Sequence, residues 1–252
     1  MIEITDHGGI TEIRLARPPV NALDAELCAA LSAAIDEAVR GGARGIVLSG
    51  RPGMFSAGLD VPGLLPLDEA GMTRLWHAFL GAARHLAECP VPVAAAITGH
   101  SPAGGCVLAV FSDYRVMAEG DYKIGLNEVQ VGLFPGPIIY RAYERLVGPR
   151  RAELYLTTGA MLDSAQALAA GLVDELAPLD QVVARALAWL GKITALPPQA
   201  MRQTRLMARD SLRQIVAGLG PEAYAAMNRA WFAPETQATM RALVEKLRKP
   251  KA

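Results

Sequence analysis

Hydrophobic and polar residues alternate along the opening stretch MIEITDHGGITEIRLAR, and the central DHGG predicts the turn of a β-hairpin. Apolar residues then recur at every fourth position from Leu23 to Val39, which is one stripe of an amphipathic helix. Asn21 or Asp24 could cap the start of this helix, and the glycine pair at 41 and 42 could end it.

Short apolar runs typical of buried strands alternate with helical patterns farther along the chain. The predicted strands are 45–50, 89–98, 113–119 and 171–177, and a long helix is predicted over 68–88. This alternation predicts an α/β fold with right-handed crossovers. From residue 137 onward helices dominate, and a new helix with proline in its first turn starts within 196–201. We therefore divide the chain near Ala195 into a core, 1–195, and a helical C-terminal region, 196–252.

Composition narrows the possible functions. With 252 residues, 52% of them hydrophobic, the chain can bury a sizeable core. Its 25 basic and 25 acidic residues form no basic stripe, which argues against nucleic acid as a partner, and no apolar run is long enough for a membrane span. Three cysteines without a Cys-x-x-Cys pair and four histidines predict no metal site. Free thiols and the absence of a leader pattern predict a cytoplasmic protein, and the basic end EKLRKPKA predicts a solvated tail.

The stretch GHSPA, residues 99–103, is similar to the G-x-S-x-G turn that presents a nucleophilic serine, but alanine replaces its last glycine. A hydrolase triad in that order also needs a histidine later in the chain, and none follows His100. We interpret Ser101 and His100 as turn-forming residues, with a serine hydrolase as a distant alternative.

The backbone of the same stretch offers different chemistry. Pro102 is typical of a helix start, and Gly104 and Gly105 would let a ligand approach the free N–H groups of the first turn. Close helix packing also favours paired glycines, so both interpretations stay open at this point. A second glycine loop, FSAGLD at 55–60, could donate another N–H and complete an oxyanion hole.

Glu128 is the only carboxylate between Asp121 and Glu144, and it stands among apolar residues. Apolar surroundings raise the pKa of a carboxyl toward the range of a general base. The alternative is a turn residue that reaches solvent.

Together with these pieces, the segments PPVNALD, ITGHSPAGGC, SDYRVMAE and GPRRAELYLTTGAMLDSAQALAAGLVDELAP resemble the crotonase superfamily, the enoyl-CoA hydratase/isomerase family, from about residue 13 to 190. Within the family, RPGMFSAGLD, PAGGC and IGLNEVQVG are most similar to enoyl-CoA delta isomerases of the mitochondrial short-chain type. The resemblance implies a spiral of β-β-α turns with a C-terminal helical trimerisation region. It also implies a homotrimer or a dimer of trimers.

The resemblance implies a role for each matching residue. Leu59 and Gly104 would donate the oxyanion N–H groups, and Glu128 would be the catalytic base. Asn127 would contact substrate or orient its loop, and Arg17 and Arg51 would either approach the CoA phosphates or stay solvated. The residues expected against CoA are Ser56, Ala57, Gly58, Asp60 and Val61. Those expected in the acyl pocket, with core packing as the alternative, are Trp76, Phe79, Leu80, Val107 and Phe134.

One departure from the family pattern bears on the reaction. Val107 stands where hydratases of the family carry their first glutamate, whereas Glu128 matches their second. Moving a double bond needs one acid–base residue, so the resemblance implies conversion of 3-enoyl-CoA to trans-2-enoyl-CoA in fatty acid β-oxidation. No cofactor is expected, because CoA arrives with the substrate. The alternatives are a decarboxylase, dehalogenase, thioesterase or weak hydratase on the same scaffold, and a catalytically silent acyl-CoA-binding homologue.

Overall fold

The computed structural model describes residues 1–248, and the last part of the predicted solvated tail, 249–252, lies outside them. Two sheets organise the first two thirds of the chain. The strands of the larger sheet are β1 Ile2–Asp6, β2 Ile10–Leu15, β3 Gly45–Ser49, β5 Val93–Ile97, β7 Tyr114–Ala118 and β9 Glu175–Ala177. Their order in the sheet is β1-β2-β3-β5-β7-β9, and every neighbouring pair is parallel except β1 and β2, which are antiparallel. The predicted hairpin is therefore present as β1 and β2.

The smaller sheet is parallel and has the order β4-β6-β8, with β4 Gly53–Met54, β6 Gly99–Pro102 and β8 Ile124–Gly125. Three successive turns of the chain each place one strand in the larger sheet and the next strand in the smaller one. Helices α2 Val61–Leu64 and α3 Glu69–Glu88 follow the first turn, α4 Gly104–Val110 the second and α5 Gly136–Val147 the third. This succession is the predicted spiral of β-β-α turns.

Side-chain caps explain where the long helices begin. The Asp24 carboxylate accepts a hydrogen bond from Leu27 N at 2.8 Å and starts α1 Ala25–Arg40, and Asp68 caps α3 in the same way through Gly71 N. The alternative cap, Asn21, is instead fully buried with a φ of 51°, and its side-chain amide donates to Phe55 O. Asn21 therefore braces the glycine loop rather than the helix.

Two predicted strands differ from the observed ones. The run 89–98 divides at Thr98, because Val93–Ile97 pairs in the larger sheet whereas the chain from Gly99 pairs in the smaller one. The run 171–177 is a strand only over Glu175–Ala177, because Gly171 ends α7 Ser164–Ala170 in a left-handed conformation. Hydrophobicity identified both runs but could not locate these bends.

The C-terminal helices pack on the core of their own chain. After α6 Pro149–Thr158 and α7, the helices are α8 Val182–Thr194, α9 Pro198–Ala208, α10 Asp210–Ala217, α11 Pro221–Trp231 and α12 Pro234–Arg248. Arg205 and Arg209 both pair with Asp113, and Arg209 also donates to the carbonyl of Phe111 at the end of α4. The oligomerisation role of 196–252 stays a prediction. Across residues 1–248, no helix combines the length and the apolar character that a bilayer crossing needs.

Candidate active site

A cavity of about 190 Å³ lies beside the point where the glycine loop meets the start of α4. Ala57, Leu59 and Val61 of the loop line it, as does Gly104. A short β-bridge holds the loop in place: Leu23 N donates to Gly58 O at 2.7 Å, and Asp60 N donates to Leu23 O at 2.9 Å. The two backbone segments that meet at the cavity are those predicted from the sequence.

Gly58 and Ala103 let these two segments come together. Gly58 has a φ of +82°, and a Cβ at this position would lie 3.1 Å from the nitrogen of Gly104. Ala103, immediately before α4, has a φ of 46° and a ψ of −117°, a strained conformation for a residue other than glycine. Backbone strain at a cavity wall is typical of a functional site, and here it directs the chain from β6 into α4.

The N–H groups of Leu59 and Gly104 are the chemically notable feature of this wall. Within residues 1–248, neither N–H donates a hydrogen bond to a protein acceptor. Backbone N–H groups in a protein interior are normally paired, so two free ones beside a cavity are available to a ligand oxygen. An oxyanion hole needs this arrangement.

Glu128 also lines the cavity and begins a 3-10 turn, Glu128–Val131. The residue as a whole is half-buried, but its Oε2 atom is inaccessible and has no hydrogen-bond partner in the described chain. Burial raises the pKa of the carboxyl from 4.5 to about 7, and a backbone hydrogen bond within the residue opposes part of that rise. A carboxyl with this pKa can both accept and return a proton near neutral pH.

The rest of the wall is largely apolar. Asn127 precedes the base, and Trp76 and Phe79 reach the cavity from α3. Their contact with substrate stays a prediction. Phe134 also lines it, although 46% of that residue is exposed. A second cavity, of about 300 Å³, shares Phe134, Pro135, Ile139 and Met227 with the first, so these residues form a partition between the two.

The last two helices contribute to the site, which was not predicted from the sequence. Met227 and Ala230 of α11 and Met240 and Leu243 of α12 complete the cavity wall, which therefore extends beyond the division at Ala195. A stripe on α12 at Thr236, Met240 and Leu243 was a readable signal that one face of this helix is buried. The stripe does not say what that face covers.

The structure places five of the proposed site residues outside the wall of this cavity, and their contact with substrate stays a prediction. Ser56 is fully buried, and its hydroxyl donates to Asn21 O at 2.7 Å. Gly58 lies behind the wall against Gly104. The three others are Asp60, which caps α2, Val107, which is fully buried within α4, and Leu80, which lines the second cavity.

Neither arginine is placed as a free phosphate ligand. Arg17 pairs with Asp60 at 2.7 Å and with Asp24 at 3.0 Å, so its charge is already neutralised inside the protein. Arg51 is exposed and its guanidinium lies 3.4 Å from Pro19 O. The structure therefore gives Arg17 a structural role in holding the glycine loop.

The serine interpretation also finds no support in the geometry. Ser101 is fully buried away from the cavity, its hydroxyl has no partner among the described residues, and His100 Nδ1 accepts a hydrogen bond from Lys123 N. A nucleophile must reach its substrate, which Ser101 does not.

The other groups of interest around the site are metal-ligand types and thiols. Within residues 1–248, no three His, Cys, Asp or Glu side chains are grouped to hold a metal ion. All three cysteines are buried and free. Burial raises the pKa of the Cys106 thiol, and the nearby Glu128 charge raises it further, so this thiol stays neutral.

Comparisons with known proteins agree with this geometry. Residues 5–251 match the enoyl-CoA hydratase/isomerase family. Human enoyl-CoA delta isomerase 1, named as mitochondrial, is 34% identical over 214 residues, which cover 84% of this chain and 71% of that protein. A probable enoyl-CoA hydratase of Mycobacterium tuberculosis is 32% identical over 203 residues, covering 80% of this chain and 77% of that protein.

The crystal structure of human mitochondrial delta3-delta2-enoyl-CoA isomerase has the same fold, with a TM-score of 0.94 at 28% identity. The match covers 100% of this chain and 99% of that one. The predicted fold class and the predicted resemblance are confirmed. The chain belongs to the enoyl-CoA hydratase/isomerase family.

Proposed function

We propose that this enzyme of the enoyl-CoA hydratase/isomerase family converts 3-enoyl-CoA to trans-2-enoyl-CoA. One observation carries the proposal. Of the described residues that line the cavity, Glu128 is the only one with a titratable side chain, and it shares the cavity wall with the two free N–H groups. Val107, at the position where hydratases of the family place another glutamate, is apolar and buried away from the cavity.

In the proposed reaction, the thioester oxygen accepts hydrogen bonds from Leu59 N and Gly104 N. Glu128 removes a proton from C2, and the electron pair of that C–H bond delocalises into the thioester to give a dienolate. The same carboxyl then returns the proton to C4, the C2–C3 double bond forms, and the thioester carbonyl is restored. The two amides stabilise the charge that develops on oxygen, and one residue performs both proton transfers.

Hydration is the second candidate, supported by the similarity to the probable mycobacterial hydratase. Adding water requires a group that activates the water and a group that manages the proton at C2. A cavity with a single carboxyl supplies one of these. We therefore expect hydration of trans-2-enoyl-CoA to be slow compared with isomerisation.

A panel of thioesters tests the assignment. Purified protein is incubated with 3-enoyl-CoA, trans-2-enoyl-CoA, a malonyl-type thioester, a halogenated acyl-CoA and a saturated acyl-CoA, and the products are identified by mass spectrometry. We expect isomerisation to dominate, and we expect Glu128→Gln to lower it by roughly 100- to 10,000-fold. Glu119→Gln, which removes an exposed carboxylate just after β7, is the matched control.

Each rival activity has its own outcome in this panel. Full isomerase turnover by the Glu128→Gln variant would refute the role of Glu128. Release of carbon dioxide, halide or free CoA as the main product would assign the cavity to another thioester reaction. Tight acyl-CoA binding without turnover of any thioester would identify a silent homologue.

Three further predictions concern the cofactor, the assembly and the location of the protein. We propose that CoA enters only as part of the substrate and that no other cofactor is needed. We propose a homotrimer or a dimer of trimers, which sedimentation analysis would identify. The cytoplasmic location stays a prediction, and the name of the human relative places that protein in mitochondria.

A further inference from the structure

Thr236, in the first turn of α12, holds the far end of the turn that carries Glu128. It is 2% exposed, and its hydroxyl donates a 2.7 Å hydrogen bond to the carbonyl of Gly132. Gly132 directly follows the 3-10 turn Glu128–Val131 in a left-handed conformation, and the next residue, Leu133, donates its N–H to Glu128 O at 3.0 Å. Thr236 therefore contacts the segment that closes back onto the backbone of the base.

The contact between α12 and this turn is close enough to require glycine. A Cβ at Gly132 would lie 3.1 Å from Thr236 Cα and 3.2 Å from its hydroxyl oxygen, and the φ of +75° disfavours other residues as well. Gln130 anchors the turn elsewhere by donating to Gly159 O at 2.9 Å. Two anchors from distant parts of the chain thus hold the four-residue turn.

The face of α12 that carries Thr236 also covers the cavity. Met240 and Leu243, one and two helical turns farther along, line the cavity wall beside Glu128. Among the side-chain hydrogen bonds within residues 1–248, the Thr236 hydroxyl makes the only one that joins α12 to the segment from Glu128 to Gly132. The orientation of the base and the seating of α12 therefore depend on the same polar contact.

We infer that Thr236 is a positioning residue: its hydroxyl fixes the turn so that the Glu128 carboxyl stays in the cavity and away from water. The expected effect on kcat rests on the proposed function, whereas the expected effect on the position of the Glu128 carboxyl does not. Gly132 is an exposed residue, so removing the Thr236 hydroxyl releases a turn that borders solvent.

The chain offers a close control for the test. Thr239 lies three residues farther along α12, and its hydroxyl bonds within the helix to Glu235 O at 2.9 Å. Thr236→Val keeps the shape of the side chain and removes the hydroxyl, Thr236→Ser keeps the hydroxyl, and Thr239→Val removes a hydroxyl that does not contact the turn. Thr236→Ala is measured alongside, so that a packing defect specific to valine does not decide the result.

For Thr236→Val and Thr236→Ala we expect kcat for 3-enoyl-CoA to fall roughly 10- to 100-fold with little change in KM, because the base is misplaced while the substrate still binds. Thr236→Ser and Thr239→Val should keep wild-type values. An independent readout is the titration of the Glu128 carboxyl by NMR with ¹³C-labelled glutamate, assigned by its loss in Glu128→Gln. The midpoint should lie near 7 in wild type and in Thr236→Ser, and it should fall toward 4.5 in the variants without the hydroxyl.

Two results would overturn the inference. One is an unchanged kcat and an unchanged Glu128 midpoint in folded Thr236→Val and Thr236→Ala. The other is an equal loss in Thr236→Ser, which would assign the residue a packing role only. If wild type did not isomerise 3-enoyl-CoA, the proposed function would fail, whereas the NMR titration would still decide whether Thr236 positions Glu128.

Discussion

Replacing Glu128 by glutamine should make the protein more stable at alkaline pH while it removes the base. Glu128 is half-buried as a residue, but the Oε2 atom of its carboxyl is inaccessible and lacks a partner within residues 1–248. Burial raises the pKa of this carboxyl from 4.5 to about 7. Above pH 4.5, the Glu128 carboxylate is charged and hydrated in the unfolded chain, whereas the folded protein must hold that charge in the cavity wall. The ionised base is therefore a source of instability that catalysis requires.

The size of the effect follows from the pKa. At about 1.36 kcal/mol for each pH unit, the rise from 4.5 to about 7 amounts to about 3 kcal/mol. Because the folded pKa is the higher one, this cost is absent below pH 4.5, grows as the pH rises toward 7, and is fully present above 7. Glutamine carries no charge at any of these values and avoids the cost.

Urea unfolding of wild type and Glu128→Gln at pH 5 and pH 8 measures the difference. We expect the variant to exceed wild type in free energy of unfolding by about 3 kcal/mol at pH 8 and by less than about 1 kcal/mol at pH 5. The corresponding rise in Tm at pH 8 is roughly 6 to 12 °C. Glu119→Gln should show no such pH-dependent gain. A Glu128→Gln variant no more stable than wild type at pH 8 would refute the account of a buried, unpaired base.

Three further predictions concern the cavity and the thiols. Gly58→Ala should lower kcat roughly 100- to 1000-fold, because the added Cβ displaces one oxyanion donor. The control Gly53→Ala, also at positive φ but with open space for its Cβ, should lose stability and keep the wild-type kcat. Equal kcat values for the two variants would contradict this prediction. Met227→Ala should open the partition to the second cavity and raise kcat/KM for longer acyl chains relative to short ones by roughly tenfold. An unchanged ratio of kcat/KM between long and short chains would count against the partition. A thiol reagent at pH 8 should label none of the three buried cysteines until urea unfolds the protein, and rapid labelling of the native state would show exposure.

The sequence predicted the elements whose cause is local. The stripe from Leu23 to Val39 and the cap at Asp24 give α1 nearly its observed length, and the 68–88 pattern gives α3. The oxyanion-hole segments could also be predicted, because the close approach of their backbones requires glycines, and Gly58 and Gly104 can be seen in the sequence. Glu128 could be singled out because it is a lone carboxylate in an apolar stretch.

The sequence could not predict which face of a helix meets which cavity. Phe79 and Leu80 are neighbours on α3, yet a rotation of about 100° per residue directs one to the first cavity and the other to the second. The wall residues from α11 and α12 depend on how these helices fold back over the core, which no local pattern specifies. The missed positioning role of Thr236 has the same cause, because its partner Gly132 lies 104 residues away in the chain.

The most direct test of the central claim is a crystal structure of Glu128→Gln with 3-enoyl-CoA bound. We expect the thioester oxygen to lie about 2.7–3.1 Å from both Leu59 N and Gly104 N. We also expect the side chain of residue 128 to lie against C2 and C4 of the acyl chain. A thioester oxygen out of reach of both amides, or another acidic residue beside those carbons, would contradict the proposed mechanism.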